Sequence, residues 1–282
     1  MSFPIAKRLD DIDDLPTVPQ TMQMVLSEIE EVSSSAQSLQ AILEQDPVIT
    51  AKILKMANSV YYSPVKEISN VGRAIVTLGF MEIRDMVISF SLTGMFCEDL
   101  GFAELKSKDL WLHAIGVGMA ARKIAKKIAG LDSDDMFTAG MLHDLGRLVY
   151  ALYFKEELAQ VLKEVQTSGI NLNQAEEKLG LTHAEIGAYL ALRWKLSDIL
   201  VNVIRYHHQP QQAGEFVMAA SVVNLADSLI KHLQLGWSGL GEKSSIVIPK
   251  VLGLDVETVK QLAQELQEEK EKIVSSWSDI IS

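Results

Sequence analysis

Cysteine is almost missing from this sequence: Cys97 is the single one among 282 residues. No internal disulfide can form, and a zinc site built on cysteine thiolates is excluded. Cys97 stands between Phe96 and Glu98, where a negative neighbour works against a reactive thiolate, so its expected role is packing. Long apolar runs are lacking as well. None approaches the roughly 20 residues that cross a bilayer, so no membrane partner is expected. Residues 1–14 carry Lys7, Arg8 and four aspartates instead of the apolar centre of a secretory signal. The expectation is a cytoplasmic protein with no separate receiver, sensor or output domain fused to it.

Basic residues are also short, 26 against 37 acidic ones, for a net charge of −11. A duplex-binding surface needs clustered Lys and Arg to displace counterions. The densest basic group, Arg122, Lys123, Lys126 and Lys127, shares a helix with an apolar face and reads as its solvated side. Nucleic acid is therefore not an expected partner. Alternating strand patterns are scarce, the best being Ser245–Pro249, and strand–helix alternation is lacking. The fold class is all-α.

What is present is a core-forming composition, 48% hydrophobic, with helical punctuation. Asp46-Pro47 is an N-cap followed by proline at the first helical position, opening a helix over residues 48–58 with Ile49, Ile53 and Met56 inward. Ser69 is expected to cap the next helix, which carries Ala74, Ile75 and Leu78 and ends at Gly79. A second helix follows through Ile83, Met86, Val87 and Phe90. This pair could be a DNA-reading helix-turn-helix, but its second helix shows Glu82, Arg84 and Asp85, not a basic face. Two core-packing helices are the preferred reading. The pattern weakens around Asp99 to Lys108. The expected division is a polar tail over 1–14, a helical lobe over 15–105 and a second lobe over 106–282. A glycine-bearing loop is expected over 236–243, and Asp255 caps the final helix, with Val256, Val259, Leu262 and Leu266 inward.

Five histidines fall beside apolar helix faces. His113 shares a stripe with Val117, Ala120 and Ile124. His143-Asp144 sits within an expected helix over 136–152, His183 opens a helix, and His207-His208 end one. Asp227 adjoins Val223, Ala226 and Ile230. Burying so many imidazoles and carboxylates is costly without partners, and a divalent transition metal suits that mixture of nitrogen and oxygen donors. Within a helix, adjacent His and Asp would point about 100° apart and reach one ion from two directions. Asp144 could also bridge two ions and polarise a water between them. Each histidine taken alone reads more readily as a satisfied core residue, and only the set in this order favours an ancestral metal site.

The order His113, His143-Asp144, His183, His207-His208, Asp227 resembles the HD superfamily of metal-dependent phosphohydrolases, in particular its HD-GYP branch of cyclic-dinucleotide phosphodiesterases. The whole chain is similar to a narrower relative, the HD-related output domain (HDOD) family. The likeness lies in Leu15-Pro16-Thr17-Val18-Pro19, Gln45-Asp46-Pro47, Lys55-Met56-Ala57-Asn58-Ser59 and Ala74-Ile75-Val76-Thr77-Leu78-Gly79. It continues in Ala139–Leu148, which contains His143-Asp144-Leu145-Gly146-Arg147, then in Thr182–Gly187 and Tyr206-His207-His208. The resemblance implies two packed helical lobes, the second an HD-domain-like bundle, and a regulatory role in bacterial signal transduction. The HDOD likeness alone leads one to expect a partly eroded ligand set, while the likeness to the wider HD superfamily implies metal ligation by His113, His143, Asp144, His183, His207, His208 and Asp227, holding one or two divalent ions such as Fe, Mn, Zn or Ni.

Two departures count against catalysis. Arg147 stands where the phosphodiesterases carry lysine, and arginine cannot give up a proton near neutral pH. The Gly-Tyr-Pro motif is replaced by Gln209-Pro210-Gln211-Gln212-Ala213-Gly214-Glu215. Against these, every candidate ligand position is still filled by a residue able to ligate. The preferred reading is a non-catalytic regulator that binds a signalling protein or a small ligand, for example a nucleotide or phosphate. The alternative is a metal-dependent phosphohydrolase acting on a nucleotide or cyclic dinucleotide, with Asp144 and Arg147 in its catalytic site. In either case Arg147 is expected to face a phosphate or carboxylate near the pocket.

Overall fold

The computed structural model describes residues 5–30, 35–97, 99–237, 240 and 245–281. Among them all regular elements are helical, and extended pairing is limited to an isolated bridge between Phe102 and Leu105. The chain is all-α. In order the helices are α1 (Ala6–Asp10), α2 (Gln20–Glu30), α3 (Ala36–Leu43), α4 (Pro47–Ala57), α5 (Val71–Leu78), α6 (Phe80–Ser91) and α7 (Thr93–Phe96). They continue as α8 (Ser107–Ala125), α9 (Ser133–Leu142), α10 (Leu145–Tyr153), α11 (Lys155–Ser168) and α12 (Leu172–Leu179). The last four are α13 (His183–Arg193), α14 (Asp198–Tyr206), α15 (Val217–His232) and α16 (Val256–Ser278). None of the described helices is long and apolar enough to cross a membrane.

The chain forms two compact units, each assembled from separate stretches. One is Met1–Pro16 with Glu98–Glu268, the other Thr17–Cys97 with Glu269–Ser282. The sequence pattern suggested a boundary near residue 105 and a polar tail over 1–14. The described part of that tail instead has partners in the larger unit. Tyr189 donates to Asp10, Tyr153 Oη to the Asp14 carbonyl at 2.6 Å, and Trp194 Nε1 to the Pro16 carbonyl at 2.9 Å. Residues 1–4 of the expected tail, and 238, 239 and 241–243 of the expected glycine loop, lie outside the described residues.

The smaller unit shows why the local signals work. Asp46 accepts from the Ile49 amide at 3.0 Å, and Pro47 takes the first helical position, where no amide hydrogen is needed. The cap of α5 is Asn70, not Ser69: its Oδ1 accepts from the Arg73 amide at 2.8 Å. Gly79 separates α5 from α6 with φ +97°, a backbone that glycine adopts without a Cβ clash. Inside α6, Arg84 and Asp85 are buried and bonded to each other, so neither lies on an exposed reading face. Cys97 is exposed, contrary to the packing role expected of it. Ser245–Pro249 forms no strand.

In the larger unit α8 packs on α9 and α15, and α13 packs on α10 and α14. Two glycines let these helices approach closely. A Cβ on Gly140 of α9 would come within 2.8 Å of the Val117 carbonyl on α8, and one on Gly146 of α10 would collide with the His183 carbonyl on α13. These crossings bring His113 toward His143 and Asp144 toward His183.

Candidate metal centre

The expected helix over 136–152 is broken at the residues that matter. His143 is the C-cap of α9 and Asp144 (φ −101°, ψ 10°) precedes α10, so the pair occupies a tight corner between two helices. The two side chains diverge because the chain turns, not because of helical pitch. His183 opens α13 behind the cap Thr182, His207 closes α14, and Asp227 lies in α15.

All seven sequence-derived candidates meet in the core of this unit. They fall into two sets of potential ligands: Asp144, His183, His207 and His208 in one, His113, His143 and Asp227 in the other. In the first set His183 Nε2 lies 3.1 Å from Asp144 Oδ1, and His207 Nε2 lies 3.7 Å from the same oxygen. In the second, His113 Nε2 is 3.0 Å and His143 Nε2 3.8 Å from Asp227 Oδ1. Asp144 Oδ2 turns toward the second set, 3.5 Å from His143 Nε2 and 4.0 Å from His113 Nε2. Asp144 therefore stands between the two sets with one oxygen toward each.

The outer nitrogens show how the imidazoles are held. His143 Nδ1 donates to the Gly140 carbonyl at 2.7 Å, and His207 Nδ1 to the Ile204 carbonyl at 2.8 Å. His183 Nδ1 donates to the Glu176 carboxylate, which also accepts the His183 amide at 3.0 Å. Carbonyls and carboxylates only accept, so each Nδ1 carries a proton, which in the neutral form of a ring leaves the lone pair on the inward Nε2. That is how histidine ligands are usually oriented around a metal. His143 Nε2, His113 Nδ1 and both Asp144 oxygens are buried without a hydrogen bond of good geometry, although Asp144 has cations within ion-pair distance. Orphaned lone pairs crowded together are what a divalent cation would relieve, and the residues fit such an ion.

Charge compensation is already partly internal. Burial would raise the Asp144 carboxyl, but Arg147, His143 and His183 overcome this and hold it well below the usual carboxylate range. Burial likewise opposes Asp227, and Lys231 with His113 and His143 depresses it. Burial and the neighbouring imidazoles push His207 and His208 well below the ordinary histidine value. His113 is lowered by burial despite Asp227. His183 goes the other way: burial and Arg147 lower it, and the Glu176 and Asp144 carboxylates more than offset them.

Arg147 is buried and faces two carboxylates. Nε is 2.9 Å from Asp144 Oδ2, Nη1 is 3.1 Å from Glu176 Oε1, and Nη2 donates to Asn173 Oδ1 at 3.0 Å. The guanidinium stacks on Trp237 at 4.6 Å. A cavity of about 290 Å³ adjoins the first set, reaching His183 and His208. Its lining includes Glu176, Glu177, Glu185 and Arg205, and Arg205 is paired with Glu185 at 3.4 Å.

Glu176, Asn173 and Lys231 were not among the candidates. Glu176 shares the inward face of α12 with Leu172 and Ala175, and a carboxylate at an apolar position was the available signal. Lys231 follows Asp227 by one helical turn on α15 and bonds its Oδ2 at 2.8 Å. Asn173 carried no comparable signal.

Comparison with known proteins places this geometry in context. The HDOD domain model matches residues 15–210. The chain superposes on the crystal structure of an HDOD domain protein from Geobacter sulfurreducens with TM-score 0.82 and 26% identity, covering 98% of this chain and 97% of that one. A Shewanella amazonensis protein described provisionally as a phosphohydrolase shares the fold, with TM-score 0.77, 24% identity and 99% of both chains covered. An uncharacterised protein of Treponema pallidum (strain Nichols) is 28% identical over 79% of this chain. The chain spans 44% of that relative's length.

Proposed function

Because the chain belongs to the HDOD family, we propose that it is a non-catalytic signal-transduction protein that acts by binding a small ligand or a protein partner. Its HD scaffold would hold one or two divalent ions of the Fe, Mn, Zn or Ni class through His113, His143, Asp144, His183, His207, His208 and Asp227. There the metal would act as a cross-link between helices, coupling ligand binding to the stability of the unit.

The observation that carries the non-catalytic reading is the state of Arg147. Beside any metal, an arginine at this position would assist phosphate hydrolysis only if its guanidinium could turn to the substrate's phosphate. Here the guanidinium is buried between Asp144, Glu176 and Asn173 and covered by Trp237. Among the residues lining the adjoining cavity, three carboxylates oppose an anion, and its one arginine is paired with Glu185. Phosphate is a poor fit to that lining.

The second reading, a metal-dependent phosphohydrolase acting on a nucleotide or cyclic dinucleotide, is favoured by the inward Nε2 atoms grouped on either side of Asp144. A bound ion would supply Lewis acidity and an activated water in that case. Hydrolysis of bis(4-nitrophenyl) phosphate in Mn²⁺ separates the two. The proposal expects no turnover above buffer with Mn²⁺, for wild type and Asp144→Asn alike. Turnover abolished by Asp144→Asn would establish the enzyme.

A further inference from the structure

Residues 5–16 sit on the larger unit as a short ligand sits in a groove. Arg8 lays its guanidinium on the Phe154 ring, 4.8 Å from the centroid, and pairs with Glu157. Asp10 accepts from Tyr189 and, at 3.3 Å, from Arg193 Nη1. Farther along, the carbonyls of Asp14 and Pro16 accept from Tyr153 Oη at 2.6 Å and Trp194 Nε1 at 2.9 Å. Ile5, Leu9 and Leu15, interspersed among these polar residues, are buried. The groove therefore takes a cation, an apolar side chain and a carboxylate in succession from α1, then offers two side-chain donors to the main chain that follows.

Covalent connection does not hold this segment in place. After Pro16 the chain passes into residues 17–97 of the other unit and returns to the larger one at Glu98. Residues 5–16 are thus joined to the rest of the larger unit by non-covalent contacts. The ion pairs at the rim leave the side chains of Arg8, Asp10 and Arg193 50%, 56% and 46% exposed, where water and salt weaken them. Terminal segments held in this way open more readily than the packed helices beneath them. The groove residues fall within 15–210, the stretch that the HDOD model matches, and residues 5–14 fall ahead of it. Two helices connect the groove to the polar cluster. α10 carries Arg147 near its start and ends at Tyr153, and α13 opens with His183 and ends at Arg193.

We propose that this groove, formed by Tyr153, Phe154, Glu157, Tyr189, Arg193 and Trp194, is the docking surface for a segment of a partner protein, and that residues 5–16 fill it until the partner displaces them. The chemistry of the occupant is read from the segment already seated. It carries an arginine, an apolar residue and an acidic residue in succession on a short helical turn, followed by non-helical chain. This rests on the reading that the chain signals through a protein partner, and it does not depend on metal in the cluster. A groove filled by its own chain shows a free segment an affinity lowered by the fraction of molecules that are open. Wild type is therefore the closed state.

The probe is a fluorescein-labelled peptide of residues 5–16 of this chain, titrated by anisotropy into full-length proteins. These are wild type, a released chain with Arg8→Glu and Leu9→Asp, and the released chain with Arg193→Glu added. The released chain should bind the peptide about 10-fold more tightly than wild type or better, and Arg193→Glu should remove most of that gain. A peptide carrying Asp10→Arg should regain affinity for the Arg193→Glu chain, a rescue that packing alone does not give. A released chain that keeps the wild-type circular dichroism and takes up no peptide would overturn the proposal, as would uptake indifferent to Arg193→Glu. A wild type that dimerises as its concentration rises, and that the peptide returns to monomer, would make a second copy the occupant and overturn it too. If the released chain does not fold, hydrogen exchange of wild type decides. Amides of residues 9–12 should exchange well before those of α13, and simultaneous opening contradicts the proposal. The peptide readout needs neither metal nor turnover, so its failure removes the groove alone, while hydrolysis of bis(4-nitrophenyl) phosphate would remove the non-catalytic reading.

Discussion

The two compact units are made of the same kind of helix and bury different things. In the unit of Thr17–Cys97 with Glu269–Ser282, the core is filled by side chains such as Leu39, Leu43, Ile53, Met56 and Ile83, and its buried charges, Arg84 and Asp85, are paired with each other. In the unit of Met1–Pro16 with Glu98–Glu268, His113, His143, His183, His207, Asp144, Asp227, Glu176, Arg147 and Lys231 are all buried together. Aliphatic burial needs no explanation beyond folding. Burial of that many ionisable groups works against folding unless every one is paired, and replacing such networks with apolar side chains is often neutral or stabilising. The second unit therefore retains a feature that stability alone does not require, and that is the physical case for a site there.

The contrast can be broken most severely at Arg147. Arg147→Met leaves Asp144 and Glu176 buried without their shared cation and should cost about 3–5 kcal/mol in urea unfolding of the metal-free protein. A loss of about 0.5 kcal/mol, ordinary for a surface change, would mean the carboxylates are compensated elsewhere. Next in size, Ile53→Ala in the smaller unit should cost about 2–5 kcal/mol by opening a cavity and leave Mn²⁺ uptake per folded protein unchanged. Lost uptake would show that the units do not divide the work as described.

A smaller and graded effect is expected from pH. Burial, reinforced by neighbouring imidazoles, depresses His207 and His208, so the folded protein refuses protons that the unfolded chain accepts near pH 6.5. Stability of the metal-free protein should be full above about pH 7 and fall toward pH 5, by up to about 1.4 kcal/mol per pH unit for each histidine kept neutral. The raised His183 opposes this, and the lowered His113 adds to it. Denaturation midpoints measured from pH 8 to 5 check the sign, and a profile that rises toward acid would contradict it.

How much of this could be read from the residues follows the same division. In the smaller unit the informative chemistry is local: Asp46-Pro47 and Gly79 act on their immediate neighbours, and both behave as the sequence suggests. The cap at Asn70 instead of Ser69 is a one-residue competition between two good capping types. The break at His143-Asp144 was hidden because Met141, Leu142, Leu145 and Leu148 keep an apolar pattern running across the corner. The return of Asp10, Asp14 and Pro16 to Tyr189, Tyr153 and Trp194 is set by contacts far apart in sequence, with no local signal at all. At the site, the ligand-capable residues were visible by type and order. The residues that hold them, Glu176, Lys231 and Asn173, act through geometry that only the folded chain defines.

The central claim is that this polar cluster is a place for metal, and elemental analysis of the purified protein beside a His143→Ala, Asp144→Ala double variant tests it most directly. The account predicts at least one equivalent of Fe, Mn, Zn or Ni in the wild type and none in the variant. A wild-type protein that is empty on purification and stays empty after incubation with each of these ions would contradict it.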